Sequence, residues 1–402
     1  MGYNYNKAVR EQSYIRKGEI MQIYQLMNKD NLVLEFIKTD TLEGQFKIIF
    51  ENKYANSPYL LKNNTSELDT WMNSRAIPTN REHIEKVLMS LNLDSKERFN
   101  LLIVNHAASL NDTYWIKEKD EINIQGEELQ WKDVSLYRGF KENLGLISFF
   151  GNTSSLGGKI KTPELTTQGM LRKAWRIING EIYLYKANTY GYANAGNEMY
   201  SEVVAWQIAH ILNLHYVKYE IEKWDDVECV RSKLFTSEKI GYLTMTEYLN
   251  KQLGSRTKWR YADVCRVIPK KCIEQLNDIM VFDFIIENKD RHFSNFGFLV
   301  DNDNGEIQSL APIFDNGYSL LNFEMEQDLI DYDYNKSMIG TFDIENKIQA
   351  KEIVKKNPQK YKKWANNLAN NINKIDFHKV PQYRADAMKK LILSRCRMIQ
   401  EF

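Results

Sequence analysis

The sequence predicts an α+β fold in which a strand-rich part is followed by a mainly helical part. Residues 171–178 and 181–187 are apolar, strand-like runs separated by an Asn-Gly dipeptide, which is typical of a tight hairpin turn. Residues 197–212 place apolar side chains at every third or fourth position, which predicts an amphipathic helix. From residue 243 onward helical spacing continues to the end, interrupted by the polar stretch 285–320.

A further α/β region precedes both parts, and the chain is long enough for two or three domains. The boundaries are placed where the pattern of apolar residues changes. The three predicted units are an N-terminal α/β region (1–135), a strand-rich unit (136–237) and a helical unit (238–402).

The N-terminal α/β region is expected to be separate from the rest. Residues 31–37 and 45–50 are apolar runs around a turn-rich segment, which predicts a hairpin. Residues 66–73 and 80–91 predict helices, the second capped by the Thr-Asn pair at its start. Residues 108–131 are polar and are predicted to form a loop.

Composition excludes several classes of function. A net charge of +1 gives no general electrostatic attraction to nucleic acid or to anionic membranes. No run approaches the roughly 18 apolar residues of a membrane-spanning helix. The four cysteines and six histidines lack the spacing of a zinc site, so we expect reduced thiols, no transition-metal site and a cytoplasmic location.

The strongest functional signal is Asn-Lys-Asp-Arg-His-Phe-Ser-Asn over residues 288–295. Asp290 and Asn295 have the spacing of a protein kinase catalytic loop, where the Asp accepts the proton of the substrate hydroxyl and the Asn holds magnesium. Asp315 opens an Asp-Asn-Gly turn where kinases keep a second metal-binding carboxylate. A predicted hairpin over residues 296–310 would return Asp315 to the side of Asn295.

The motif also departs from that of an ordinary kinase. The histidine follows the aspartate, and the metal turn lacks an aromatic residue. We therefore predict a two-lobed protein-kinase-like fold of an atypical branch. We interpret His292 as a structural residue of the loop, and Arg291 as either a phosphate contact or a solvated side chain.

Lys186 and Glu202 are candidates for the ion pair that kinases form between a strand lysine and a helix glutamate. Lys186 ends an apolar strand, and Glu202 lies 16 residues later on the predicted amphipathic helix. Either residue alone would be interpreted as a solvated side chain. The order Lys, Glu, Asp-x₄-Asn, Asp is what favours the functional interpretation.

With these residues the chain resembles the HipA-like serine/threonine kinases of bacteria, whose fold is related to that of the phosphatidylinositol 3/4-kinases. The strongest match is residues 288–295 with 312–317. Residues 26–36, 73–81 and 109–115 resemble the region that precedes the kinase lobes in the Firmicute-type members.

The resemblance implies roles for the catalytic residues. Asp290 is expected to be the catalytic base, Asn295 and Asp315 the magnesium ligands, and Lys186, paired with Glu202, the ligand of the α- and β-phosphates of ATP.

The resemblance also implies a nucleotide pocket. Residues 166–173 match the phosphate-binding loop of the family, with Gly169 as its glycine and Lys173 as a second phosphate contact. Residues 229–235 are expected to be the hinge, and its last two residues to contact adenine; these are Leu234 and Phe235. Thr166, followed by Thr167, stands where some members carry an autophosphorylated serine.

Partners follow from the same resemblance. Some relatives are toxins that pair with a DNA-binding antitoxin and phosphorylate a translation factor such as an aminoacyl-tRNA synthetase. No helix-turn-helix is identified here, so an antitoxin would be another chain. The motif does not fix the acceptor, and a kinase acting on a lipid, sugar or nucleotide stays an alternative. The second alternative is a non-catalytic binding module, which retention of all five motif residues disfavours.

Overall fold

The computed structural model describes residues 15–16, 19–41, 44–62, 67–94 and 96–402. Within these residues it is a mixed α+β structure with four sheets of antiparallel strand pairs. None of the described helices is long and apolar enough to cross a membrane.

The N-terminal region contains a sheet with the strand order β5-β4-β3-β6, and helices pack against it through Trp71 and Phe99. The predicted hairpin is confirmed as β4 paired with β5, and residues 42–43 of its turn lie outside the described residues. The elements are β1 (Ile15–Arg16), β2 (Glu19–Ile20), β3 (Ile23–Asn28), β4 (Asn31–Thr41), β5 (Gly44–Glu51), α1 (Leu68–Arg75), α2 (Ile84–Leu91), α3 (Arg98–Val104), β6 (Tyr114–Glu118) and α4 (Trp131–Val134).

Three predictions for this region need correction. Residues 108–131 are not all loop, because strand β6 pairs with β3 through the backbone, which polar flanking residues do not prevent. Helix α2 begins at Ile84 and not at residue 80, since His83 is in the left-handed conformation with φ 62°. The helix predicted over residues 66–73 is α1, which ends later, at Arg75. Residue 66 itself lies outside the described part of the chain.

The strand-rich part follows helix α5 (Asn143–Phe150) and forms a sheet with the order β7-β8-β10-β9. Its hairpin turn is Asn179-Gly180, where both residues have positive φ as the tight turn requires. The elements are β7 (Lys173–Ile178), β8 (Glu181–Ala187), α6 (Glu198–Ile211), β9 (Tyr219–Trp224) and β10 (Val227–Lys233).

The predicted hinge starts too early. Cys229 lies inside β10 and opposite Ala187 of β8, so the strand continues to Lys233. The link to the next sheet therefore begins at Leu234. Residues 227–235 contain no Gly, Pro, Asn or Asp, so the sequence gives no signal of where the strand ends.

The remaining chain is mainly helical around a small sheet of order β11-β12-β13. The predicted hairpin is confirmed as β12 and β13, and its turn is fixed by Asp301, whose carboxylate accepts the N–H groups of Asp303 and Asn304. The elements are β11 (Ile240–Thr244), α7 (Met245–Leu253), α8 (Tyr261–Val267), α9 (Lys270–Ile286), β12 (Gly297–Asp301), β13 (Ile307–Leu310), α10 (Glu326–Ile330), α11 (Asn346–Lys356), α12 (Pro358–Asn370) and α13 (Gln382–Glu401).

The N-terminal region contacts the helical part directly. The side-chain amides of Asn28 and Asn56 both donate to the carbonyl oxygen of Asn302, at 2.9 and 3.0 Å. The Tyr59 ring stacks on Tyr248 with centroids 5.2 Å apart. The domain boundaries after residues 135 and 237 stay predictions.

Candidate active site

The predicted catalytic loop directly follows helix α9, whose C-terminal half is buried. The helix ends at Ile286, and the next residue, Glu287, takes a left-handed conformation with φ 50°. Asn288 then donates to the Asp283 carboxylate and accepts the N–H of Asp290 at 2.9 Å. The loop is thereby fixed to the last turns of the helix that precedes it.

Arg291 is buried and joins the catalytic loop to the Asp-Asn-Gly turn. Its guanidinium pairs with Asp283 at 3.0 Å, and both side chains are almost completely buried. It also donates to the carbonyl oxygens of Asn295, at 3.1 Å, and Phe314, at 2.6 Å. Arg291 is therefore neither a solvated side chain nor placed as a phosphate contact, and both interpretations of it are wrong.

Asp290 is partly exposed at the surface of this loop. Its carbonyl oxygen accepts the side-chain amide of Asn295 at 3.0 Å, which leaves the Asn295 side-chain oxygen without a donor among the described residues. Burial and the charge of Asp315 raise the pKa of Asp290, although the neighbouring His292 opposes the shift. His292 is exposed and accepts the N–H of Ser294 at 3.3 Å, in keeping with a structural role in the loop.

Lys186, Glu202 and Asp315 are brought together. The Lys186 ammonium lies 3.1 Å from a Glu202 oxygen and also contacts the Asp315 carboxylate. The second Glu202 oxygen accepts the N–H of Asn316 at 2.8 Å, and the Asp315 N–H donates to the hydroxyl of Tyr219. Strand β8, helix α6 and the Asp-Asn-Gly turn therefore meet at one ion network.

The charges of this network outweigh the effect of burial. Burial alone would lower the pKa of Lys186, but Asp315 and Glu202 raise it well above its ordinary value. Burial likewise opposes ionisation of Asp315, yet Lys186 and Lys173 hold its pKa below the usual range. Lys186 and Asp315 are thus an ammonium and a carboxylate at neutral pH.

Phe235 lies beside this network in an aromatic group with Tyr242 and Phe314, whose ring centroids are 5.5 to 5.6 Å apart. Leu234 instead packs against the cluster formed by Ala108, Leu110 and Leu136 of the preceding chain. The two predicted adenine contacts therefore belong to different apolar clusters, and Phe235 is the one that adjoins Asp315.

The predicted phosphate-binding loop lies between a short 3₁₀ turn (Glu164–Thr166) and strand β7. The hydroxyl of Thr166 is buried and donates to the carbonyl oxygen of Ala108 at 2.7 Å. Thr167 is less buried; its hydroxyl donates to Pro163 and accepts the indole N–H of Trp175, both at 2.8 Å.

Gly169 and Lys173 lie at the centre of this loop. Gly169 has φ 99°, and a side chain there would collide with the Lys173 ammonium. Lys173 donates to the carbonyl oxygen of Gln168 at 2.9 Å and stands opposite Lys186 in the sheet. Burial, with the charges of Arg81 and Lys186, lowers the pKa of Lys173 to about 7.

Three residues that shape the site were not predicted. Asp283 anchors Arg291, and Arg81 donates to the loop carbonyls of Thr167 and Gly169. Glu164 is buried beneath the loop and accepts the N–H of Trp175 at 2.9 Å. Arg81 lies in a segment that resembles the HipA-like family, but nothing in the sequence assigned it a contact.

The donor set at the Asp-Asn-Gly turn fits magnesium. Asp315 offers a carboxylate and Asn295 a side-chain oxygen, and magnesium is usually bound by one or two such oxygens together with substrate phosphates. Among the described residues no group of three or more His, Cys, Asp or Glu side chains could hold a metal ion.

The family model of the HipA-like C-terminal domain matches residues 165–382, more than half of the chain. The chain belongs to the HipA-like family. The match includes the predicted phosphate-binding loop, the ion network of Lys186 and the predicted catalytic loop, and it confirms the resemblance predicted from the motifs. No curated protein sequence matches the chain.

Two solved structures are similar to this chain. HipA in a toxin–antitoxin complex with HipB and operator DNA from Shewanella oneidensis MR-1 is 12% identical with a TM-score of 0.58, over 94% of this chain and 99% of that one. The proinflammatory kinase CtkA of Helicobacter pylori is 20% identical with a TM-score of 0.49, over 60% of this chain and 94% of that one. The likeness to HipA shows that nearly the whole chain, including the N-terminal region, shares its fold.

Proposed function

We propose that the chain is an ATP- and Mg²⁺-dependent serine/threonine protein kinase with the two-lobed arrangement of that fold. The observation that carries the proposal is the contact of Lys186 with both Glu202 and Asp315. In kinases this arrangement places the lysine on the α- and β-phosphates of ATP and the aspartate on the metal. Membership of the HipA-like family supports the same conclusion.

Asp290 is the proposed general base. Its carboxylate takes the proton of the acceptor hydroxyl while the hydroxyl oxygen bonds to the γ-phosphorus. The bond from the γ-phosphorus to ADP breaks, and its electron pair stays on ADP. Burial raises the pKa of Asp290, which strengthens it as a proton acceptor.

The other residues position the nucleotide. Asn295 and Asp315 hold magnesium, which neutralises charge on the phosphates when it is bound. Arg291 keeps these two residues in register because it binds the backbone on both sides. Phe235 provides an apolar face for adenine next to the ion network, and Leu234 is the second proposed contact.

The proposed acceptor is a protein hydroxyl, with a translation factor as the substrate class. The Shewanella relative is a toxin–antitoxin protein in complex with HipB and operator DNA. By this likeness we propose a toxin role, a cytoplasmic location and a separate DNA-binding antitoxin chain as partner.

The test is incubation of the purified chain with γ-labelled ATP, magnesium and a cell lysate. We expect labelled protein bands with the wild type, and at least a roughly hundredfold loss with Asp290→Asn, which removes the base but keeps its size. Asp303→Asn, which removes an exposed carboxylate on the β12–β13 turn, is the matched control. Labelled lipids, sugars or nucleotides without labelled protein would favour a small-molecule kinase. No label in either fraction would favour a binding module.

A further inference from the structure

The carbonyl oxygens of residues 167–170 in the predicted phosphate-binding loop all accept hydrogen bonds. Arg81 donates from Nη2 to Thr167 at 2.5 Å and from Nε to Gly169. The N–H of Glu82 donates to Met170 at 2.9 Å. The remaining carbonyl, that of Gln168, accepts the Lys173 ammonium. Four consecutive carbonyl groups are therefore held, three of them by the N-terminal region.

Two backbone N–H groups of the same loop, those of Gln168 and Met170, have no hydrogen-bond acceptor among the described residues. A trans peptide group is planar, so its N–H points away from its C=O. One guanidinium holds the carbonyls of Thr167 and Gly169, and it thereby turns the N–H groups of Gln168 and Met170 away from itself. Among the described residues neither N–H has a hydrogen-bond acceptor, and both residues are exposed. Free backbone N–H groups that converge in a turn form a concave site for phosphate oxygens.

We propose that Arg81 is a positioning residue for nucleotide binding, which orients the Gln168 and Met170 amides towards the phosphates of ATP. This inference rests on the proposed kinase function and adds a residue outside the matched family domain. Arg81 acts through the backbone and does not itself contact the nucleotide. The N-terminal region is thus a part of the active site.

Burial makes the arrangement specific for arginine. The Arg81 side chain is almost completely buried and reaches two carbonyl groups with two nitrogens of one rigid plane. A lysine has a single ammonium group in place of this fork. A side chain of the loop also binds the N-terminal region. The side-chain amide of Gln168 donates to the carbonyls of Ser74, Arg75 and Ala76 at 3.0 to 3.2 Å.

The test compares binding of Mg-ATP and of adenosine by calorimetry on the full chain. Arg81→Gln is expected to weaken ATP binding about tenfold, the effect of losing charge-assisted hydrogen bonds, and to leave adenosine binding unchanged. The KM for ATP should rise by a similar factor with a smaller change in kcat, and Arg81→Lys should recover part of the loss. Arg98→Gln is the matched control, because Arg98 donates to the carbonyls of Asn73 and Ala76 and not to the loop.

Equal ATP affinity in wild type and Arg81→Gln would overturn the inference and leave the proposed function intact. An equal loss for ATP and adenosine would also overturn it, since that indicates a general structural role. Failure of the wild type to bind ATP would instead remove the proposed function on which the inference rests. Should Arg81→Gln not fold, Gln168→Ala tests the contact between the loop and the N-terminal region by removing the loop's own side chain. Unchanged ATP affinity in Gln168→Ala would contradict the inference.

Discussion

A buried arginine binds each of the two predicted loops, the catalytic loop and the phosphate-binding loop. The two arginines differ in how far along the sequence their partners lie. Arg291 pairs with Asp283, eight residues earlier, and both lie within the helical part. Arg81 reaches Gly169 from 88 residues away. The first loop is therefore stabilised locally, and the second depends on another region of the molecule.

The two arginines also differ in charge compensation. Arg291 contacts a carboxylate directly, whereas Arg81 binds only carbonyl oxygens. Glu164 is close enough to Arg81 for their charges to interact, but the two form no ion pair within the described residues. Arg291 and Asp283 thus form a neutralised buried pair, whereas the buried charge of Arg81 beside the phosphate-binding loop is incompletely paired. Experiments can separate these two situations.

The largest effect is expected when Arg291 is replaced. Arg291→Gln leaves Asp283 buried without its counter-charge, so the free energy of unfolding should fall by about 3–5 kcal/mol. Arg81→Gln leaves only carbonyl groups unpaired and should cost about 1–3 kcal/mol. Urea unfolding of both variants and the wild type measures the difference. Equal losses would contradict the distinction drawn between the two loops.

The next effect is a pH dependence of stability at the phosphate-binding loop. Burial raises the pKa of Glu164 to about 7 from an ordinary value of 4.5. Between these pH values the folded chain binds a proton that the unfolded chain has lost, so stability should fall as pH rises from 4.5 to 7, by about 3 kcal/mol in total. Glu164→Gln should remove this fall. Glu142→Gln is the matched control, since Glu142 also accepts an N–H from β7.

Above pH 7 the change of stability with pH has the opposite sign, because of Lys173. Its pKa is lowered to about 7 from 10.5, so the unfolded chain binds more protons between these values and stability should rise with pH. Stability measured by urea unfolding across pH 4.5 to 10 should pass through a minimum near pH 7. Stability that changes in one direction only across this pH range, and equally in Glu164→Gln, would contradict the conclusion that Glu164 and Lys173 are buried without full charge compensation.

The same comparison explains how much the sequence could predict. The catalytic loop was predicted with its hairpin and its order of functional residues, because its contacts span few residues and follow a fixed spacing. The role of Arg291 was missed, since burial beside Asp283 depends on how deeply helix α9 is packed. Arg81 could not be assigned, because a contact across 88 residues leaves no periodicity or spacing in the chain. The strand end at Lys233 was missed because no Gly, Pro, Asn or Asp in residues 227–235 marks where pairing stops.

A smaller effect, on ATP affinity, is expected when Asp315 of the Asp-Asn-Gly turn is replaced. Asp315→Asn keeps the size of the side chain but removes the charge that magnesium prefers, so the gain in ATP affinity on adding magnesium should fall about tenfold. Calorimetry with magnesium and with EDTA measures this gain, and Asp303→Asn serves as the control carboxylate. An unchanged magnesium effect in Asp315→Asn would remove Asp315 from the proposed metal site.

The smallest effect concerns phosphorylation of the loop that Arg81 holds. Thr166 is buried against the Ala108 carbonyl, and the Thr167 hydroxyl is engaged by Pro163 and Trp175. Thr166 can accept a phosphoryl group only after its hydroxyl leaves the Ala108 carbonyl, and Thr167 only after its hydroxyl leaves Pro163 and Trp175. A phosphate at either position would repel those of ATP. We expect low phosphate occupancy in the wild type after incubation with ATP, with Thr167 above Thr166 because it is less buried.

Weakening the contacts of the loop should then raise that occupancy several-fold, because each lost hydrogen bond of about 1 kcal/mol raises the open fraction about fivefold. Phosphopeptide mass spectrometry on Arg81→Gln should show the increase, and on Arg98→Gln it should not. Occupancy that is equal in all three proteins would mean that phosphorylation does not require the loop to leave Arg81. Absence of phosphate from both threonines in every active variant would leave them as structural residues of the turn.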